Sequence, residues 1–154
     1  ELAYTANWDA VASAKAGVPV DVVGVDAYPQ LDVTAADSVQ ALTAAWSEWL
    51  AATTLGPGDV LTEVGAAAEA QTLLNPAVPH RPGAAVDEGV QSRWFAAACQ
   101  AARDQNLAGL YWWKIGFDVD PVVVDPAAAL HDSWLGRDAQ AVMRECFAEW
   151  GREL

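Results

Sequence analysis

Four short apolar runs, each followed by a stretch with helical periodicity, set the strongest limit on what this chain can fold into. The runs at residues 2–6, 20–27, 59–64 and 107–113 are bounded by Gly, Pro, Asn or Asp and read as strands. After the first, Asp9 is placed to cap a short helix that Gly17 and Pro19 end. The next helix carries Val39, Leu42, Trp46 and Trp49 on one stripe, with Thr34 to Asp37 resembling a capping box ahead of it. A third is expected over residues 88–105, with Val90, Trp94, Ala97 and Ala101 inward. A fourth is expected over 138–150, with Val142, Met143, Cys146 and Phe147. The order is βαβαβαβα. Each strand is returned to the same end by a crossover helix, so the sheet must be parallel.

In a parallel sheet of this kind chemistry gathers at the carboxyl ends of the strands. The segments 65–87 and 116–136 both leave from those ends and are long for connections in a compact domain, which is typical of functional loops. Four βα units amount to half of an eightfold barrel of ~250 residues. An open nucleotide-binding sheet is the competing architecture, but Gly24-Val25-Asp26 lacks the glycine-rich phosphate fingerprint. The half-barrel is the expected fold, with residues 1–154 forming part of one α/β domain. The chain opens directly into Leu2-Ala3-Tyr4 without an initiating Met, which suggests a piece of a longer protein.

Several function classes are disfavoured at this level. With 21 acidic and only 8 basic side chains among 154 residues, the net charge is −13, the wrong sign for a nucleic acid backbone or an anionic membrane surface. No apolar run approaches the ~20 residues that span a bilayer. Cys99 and Cys146 are far apart in sequence and are expected as buried free thiols. His80 and His131 lack an H-x-x-x-H spacing and are expected at the surface. Asp118, Asp120 and Asp125 crowd one loop, but Pro121 and the valines after it break the alternation of a calcium loop. Neither a metal nor a cofactor is expected.

Glu63 ends the third strand and is the leading catalytic candidate, against the plainer reading of a solvated or capping glutamate. The Gly65 that follows would permit a sharp exit from the strand. At the tip of the second strand, Asp26 and Tyr28 share a face by the period of two. A phenol beside a carboxylate can hold it ionised and oriented, as a nucleophilic glutamate requires. Trp112 and Trp113 are adjacent and point to opposite faces, so only one can lay its ring against the C–H face of a sugar. Asn7 and Trp8 at the first strand's tip add an amide and a further ring. Trp46, Trp49, Trp94 and Trp150 read as packing residues, and Lys114 as a cation among carboxylates.

Taken together, Tyr4-Thr5-Ala6-Asn7-Trp8-Asp9, Val23-Gly24-Val25-Asp26-Ala27-Tyr28, Leu61-Thr62-Glu63-Val64-Gly65 and Tyr111-Trp112-Trp113-Lys114 resemble the strand tips of the clan A glycoside hydrolases, most of all the family 113 β-mannanase-like barrels. The resemblance implies a retaining glycosidase whose fifth to eighth strands are the four in this chain. It implies Glu63 as nucleophile, Tyr28 at the tip of the sixth strand, and a polysaccharide or oligosaccharide as substrate. The general acid/base would then belong to a fourth strand upstream, in an N-terminal half-barrel that this chain needs as partner. The family's Gly-Tyr-Arg-type turn is replaced here by Gly65-Ala66-Ala67-Ala68. The alternative function is a carbohydrate-binding or pseudo-enzyme barrel that keeps sugar binding without turnover.

Overall fold

The computed structural model describes residues 2–11, 19–32, 37–115 and 131–153. Its strands are β1 (Ala3–Asn7), β2 (Val22–Ala27), β3 (Val60–Val64) and β4 (Gly109–Trp112), paired in parallel in the order β1-β2-β3-β4. The helices are α1 (Val39–Thr53), α2 (Glu88–Asp104) and α3 (Asp138–Glu153). From β2 onward the alternation expected from the sequence is the architecture observed. The short helix expected between Asp9 and Gly17 and the loop holding Asp118, Asp120 and Asp125 fall outside the described residues.

Strand faces follow from alternation. Val23, Val25 and Ala27 in β2 are 3%, 0% and 0% exposed because they point at the helices. The opposite, inner face carries Gly24, and only glycine fits there: a Cβ would stand 2.7 Å from Thr62 Cγ2 and 2.8 Å from Thr5 Oγ1. Helix α1 presents Leu42, Trp46 and Leu50 to the core at i, i+4 and i+8. Its stripe is rotated from the expected one, with Val39 exposed and Trp49 half-buried. The N-cap is Ser38, whose Oγ accepts from Ala41 N at 3.1 Å. Helix α2 is capped by Asp87, which accepts from Val90 N at 3.0 Å.

Helix α2 lies between α1 and α3, and its composition fits that position: small Ala97, Ala98, Ala101 and Ala102 alternate with buried Trp94 and Phe95. Trp94 packs on Trp46 with ring centroids 4.7 Å apart. On its other side Cys99 and Cys146 form a disulfide, Cα–Cα 6.1 Å, that joins α2 to α3. This corrects the expectation of free thiols: 47 residues separate the pair in sequence, yet adjacent helices bring them into bonding range. Phe147, expected inward, is half exposed, while Met143 and Cys146 are buried. Asp59, just before β3, is also structural, accepting from Val23 N and Gly56 N, both at 3.0 Å. Among the described residues no helix is long and apolar enough to cross a membrane.

Candidate active site

The site is created by one irregularity. Register along β2 and β3 runs Val25 to Leu61 and then Asp26 to Glu63, so Thr62 is an extra residue on β3. Strict alternation would put Glu63 on the same face as Leu61, which is fully buried against the helices. The bulge instead leaves both Thr62 and Glu63 opposite Asp26 and returns Val64 to the helix side, where it is fully buried. Thr62 Oγ1 donates to Asp26 Oδ1 at 2.8 Å, and the Tyr28 hydroxyl donates to Glu63 Oε2 at 2.8 Å. Glu63, Tyr28 and Asp26 thus meet on the inner face at the carboxyl end of the sheet.

Burial above all, then the hydrogen bond to Glu63 and the charges of Glu63, Asp26 and Asp132, push the Tyr28 phenol well above the ordinary tyrosine range. The phenol is therefore a fixed donor, aimed at a Glu63 carboxylate oxygen.

The tryptophan pair, the last residue of β4 and the one after it, divides between the two faces of the sheet. Trp112 turns outward and stacks on Phe95 of α2, centroids 4.7 Å apart, as a packing residue does. Trp113 turns inward, 43% exposed, and lines a small pocket with Tyr28, Gly65, Ala66, Ala67, Pro79 and Asp132. Lys114 lies 5.8 Å from the Trp113 ring centroid and pairs with Asp132 at 3.0 Å. Gly65 has a reason other than the one expected. A Cβ there would stand 2.7 Å from the Trp113 carbonyl oxygen and 3.2 Å from Tyr28 Cε1, so glycine permits a close approach. Asn7 is exposed and pairs in register with Asp26, while Trp8 is half-buried against the core and donates its backbone N–H to the Asp26 carbonyl at 3.1 Å.

A second polar constellation lies beside this pocket. Glu69 is fully buried, and Nδ1 of both His80 and His131 stands 2.5 Å from its Oε1. His80 is exposed, as expected, while His131 is only partly exposed, and both share one buried partner because two loops converge, which sequence spacing does not report. Burial pushes the Glu69 carboxyl up, but hydrogen bonds from His80, His131 and the Arg81 backbone outweigh it and hold the group below the usual carboxylate range. Neither Glu69 nor Asp132 stands out in the sequence. The available signal was a single acidic residue inside an otherwise alanine-rich run after Gly65.

No protein-family model matches the sequence, and no curated protein does. Solved structures do. One is a family 113 β-mannanase from Alicyclobacillus acidocaldarius in complex with ManMIm, with 22% identity and a TM-score of 0.62 over 95% of this chain and 44% of that one. Two structures of family 113 β-1,4-mannanase match with TM-scores of 0.67 and 0.66 at 13% identity, over 95% of this chain and 45% of theirs. The chain spans less than half the length of each of these three structures. Its parallel four-stranded sheet and flanking helices have the fold of one half of the (β/α)8 barrel of the family 113 β-mannanases.

Proposed function

We propose that this chain carries the nucleophile half of a retaining glycoside hydrolase acting on β-linked, mannan-type glycans. The observation that carries the reading is the 2.8 Å hydrogen bond from Tyr28 to Glu63 at the strand tips, beside the half-exposed ring of Trp113. The likeness to β-mannanase folds supports it.

In the proposed reaction a Glu63 oxygen attacks the anomeric carbon while the glycosidic C–O bond breaks. The departing oxygen takes a proton from a carboxylic acid on a strand outside this chain, roughly 5–5.5 Å away. The resulting glycosyl ester is then hydrolysed by water that the same outside carboxylate deprotonates, which frees Glu63. Tyr28 holds Glu63 in position, Trp113 supplies the apolar face for a pyranose ring, and Asn7 and Asp26 offer polar contacts to hydroxyls. The other half-barrel would pair on the open sides of β1 and β4, where Tyr4 is 41% and Tyr111 63% exposed.

A 2-deoxy-2-fluoro glycoside with a good leaving group tests this in the protein with its complete barrel. Mass mapping is expected to find the label on the peptide containing Glu63 and none in Glu63→Gln. Saturable sugar binding with no label would favour the carbohydrate-binding alternative.

A further inference from the structure

We propose that Glu69, His80 and His131 form a binding site for one divalent transition-metal ion of the zinc class, next to the pocket wall. Their ligand atoms all lie within 4.8 Å of one another. A metal at the usual Zn–N and Zn–O lengths of about 2.0–2.2 Å holds tetrahedral ligands about 3.3 Å apart. The 2.5 Å His–Glu separations therefore open by less than an ångström to admit the ion. Two imidazole nitrogens and one carboxylate suit zinc and its neighbours; calcium and magnesium prefer oxygen alone.

The carboxylate is held by the chain around it, as metal ligands generally are. Arg81 N donates to Oε1 at 3.2 Å and to Oε2 at 3.0 Å, and the Arg81 guanidinium stands 3.7 Å from Oε2, leaving Oε1 turned to the histidines. Glu69 forms an antiparallel bridge with Val86, and Ala68 N donates to the His131 carbonyl at 2.7 Å, so the backbones carrying the ligands are fixed to each other. The Arg81 cation opposes a second cation, but it is engaged on the far oxygen and by the Asn75 carbonyl at 2.6 Å. The His80 side chain is 50% exposed, which gives the ion a path in and leaves room for a water as fourth ligand.

The consequence is mechanical. Pro79 and Asp132, the sequence neighbours of His80 and His131, both line the pocket beside Trp113 and Tyr28. An ion bound to all three residues would tie the loop after β3 to the segment before α3 and so fix two walls of that pocket.

The test is titration of the chelator-treated protein with Co2+, read by its visible d–d bands. Expected are one equivalent bound per chain, displacement by Zn2+, and affinity about 100-fold or more weaker in His80→Ala and in His131→Ala. Failure of the wild type to take up a stoichiometric ion overturns the proposal, as does equally tight binding by both variants. Because Glu69→Gln puts the fold itself at risk, the half-exposed His80 carries the decision, with an unchanged circular dichroism spectrum as the check on folding. None of these readouts depends on glycoside cleavage.

Discussion

Tyr28 and Glu63 form the smallest unit in which this chain's chemistry can be tested. Hydrogen bonds to charged groups contribute about 1.5–3 kcal/mol, so Tyr28→Phe is expected to slow labelling of Glu63 by a fluoro-glycoside about 10- to 100-fold. The same variant has a pH signature. Tyr28 ionises above the ordinary tyrosine value of about 10, so the unfolded chain loses that proton first as pH rises. The stability margin of wild type over Tyr28→Phe should hold through neutral pH and shrink once pH passes about 10, as read by urea unfolding; a margin that grows there would contradict the assignment. Gly65→Ala probes the packing beneath the pair. The new Cβ meets the Trp113 carbonyl at 2.7 Å, backbone that cannot yield easily, and overpacking of this kind costs about 1–3 kcal/mol in thermal or denaturant unfolding.

Elements owe their positions to contacts between them more than to their own composition. The existence of β2, β3, α1 and α2 was legible because apolar period and caps are local properties of the chain. The bulge at Thr62 was not, since it is a relation between two strands, and it alone decides that Glu63 faces Tyr28 rather than the helices. The Cys99–Cys146 link between α2 and α3 was equally hidden. Closing a loop of that length restricts the unfolded chain by about 4 kcal/mol in the chain-entropy account. Reduction with a thiol should therefore lower the urea midpoint of the protein markedly, and Cys99→Ala/Cys146→Ala should reproduce the loss; an unchanged midpoint would mean the bridge constrains nothing.

At the scale of the whole molecule, the sheet ends, among the described residues, in open strands at β1 and β4. An apolar groove formed by Leu110, Tyr111, Phe147 and Trp150 runs beside β4, with Tyr111 63% and Phe147 51% exposed. Unpaired strand edges and apolar patches invite association. This chain expressed by itself should self-associate with rising concentration in sedimentation velocity and bind an apolar dye. A dye-silent monomer at all concentrations would mean the chain closes its own edges. The sequence by itself determined the element order, and with it a parallel sheet whose carboxyl ends carry Glu63, Tyr28 and Trp113, because hydrophobic period, caps and strand tips are written in neighbouring residues. Only the tertiary structure decided which tryptophan turns inward, that Glu63 meets Tyr28, and that Glu69 gathers two histidines. Those outcomes rest on register and on approaches between residues 11 to 62 positions apart, which no local pattern encodes.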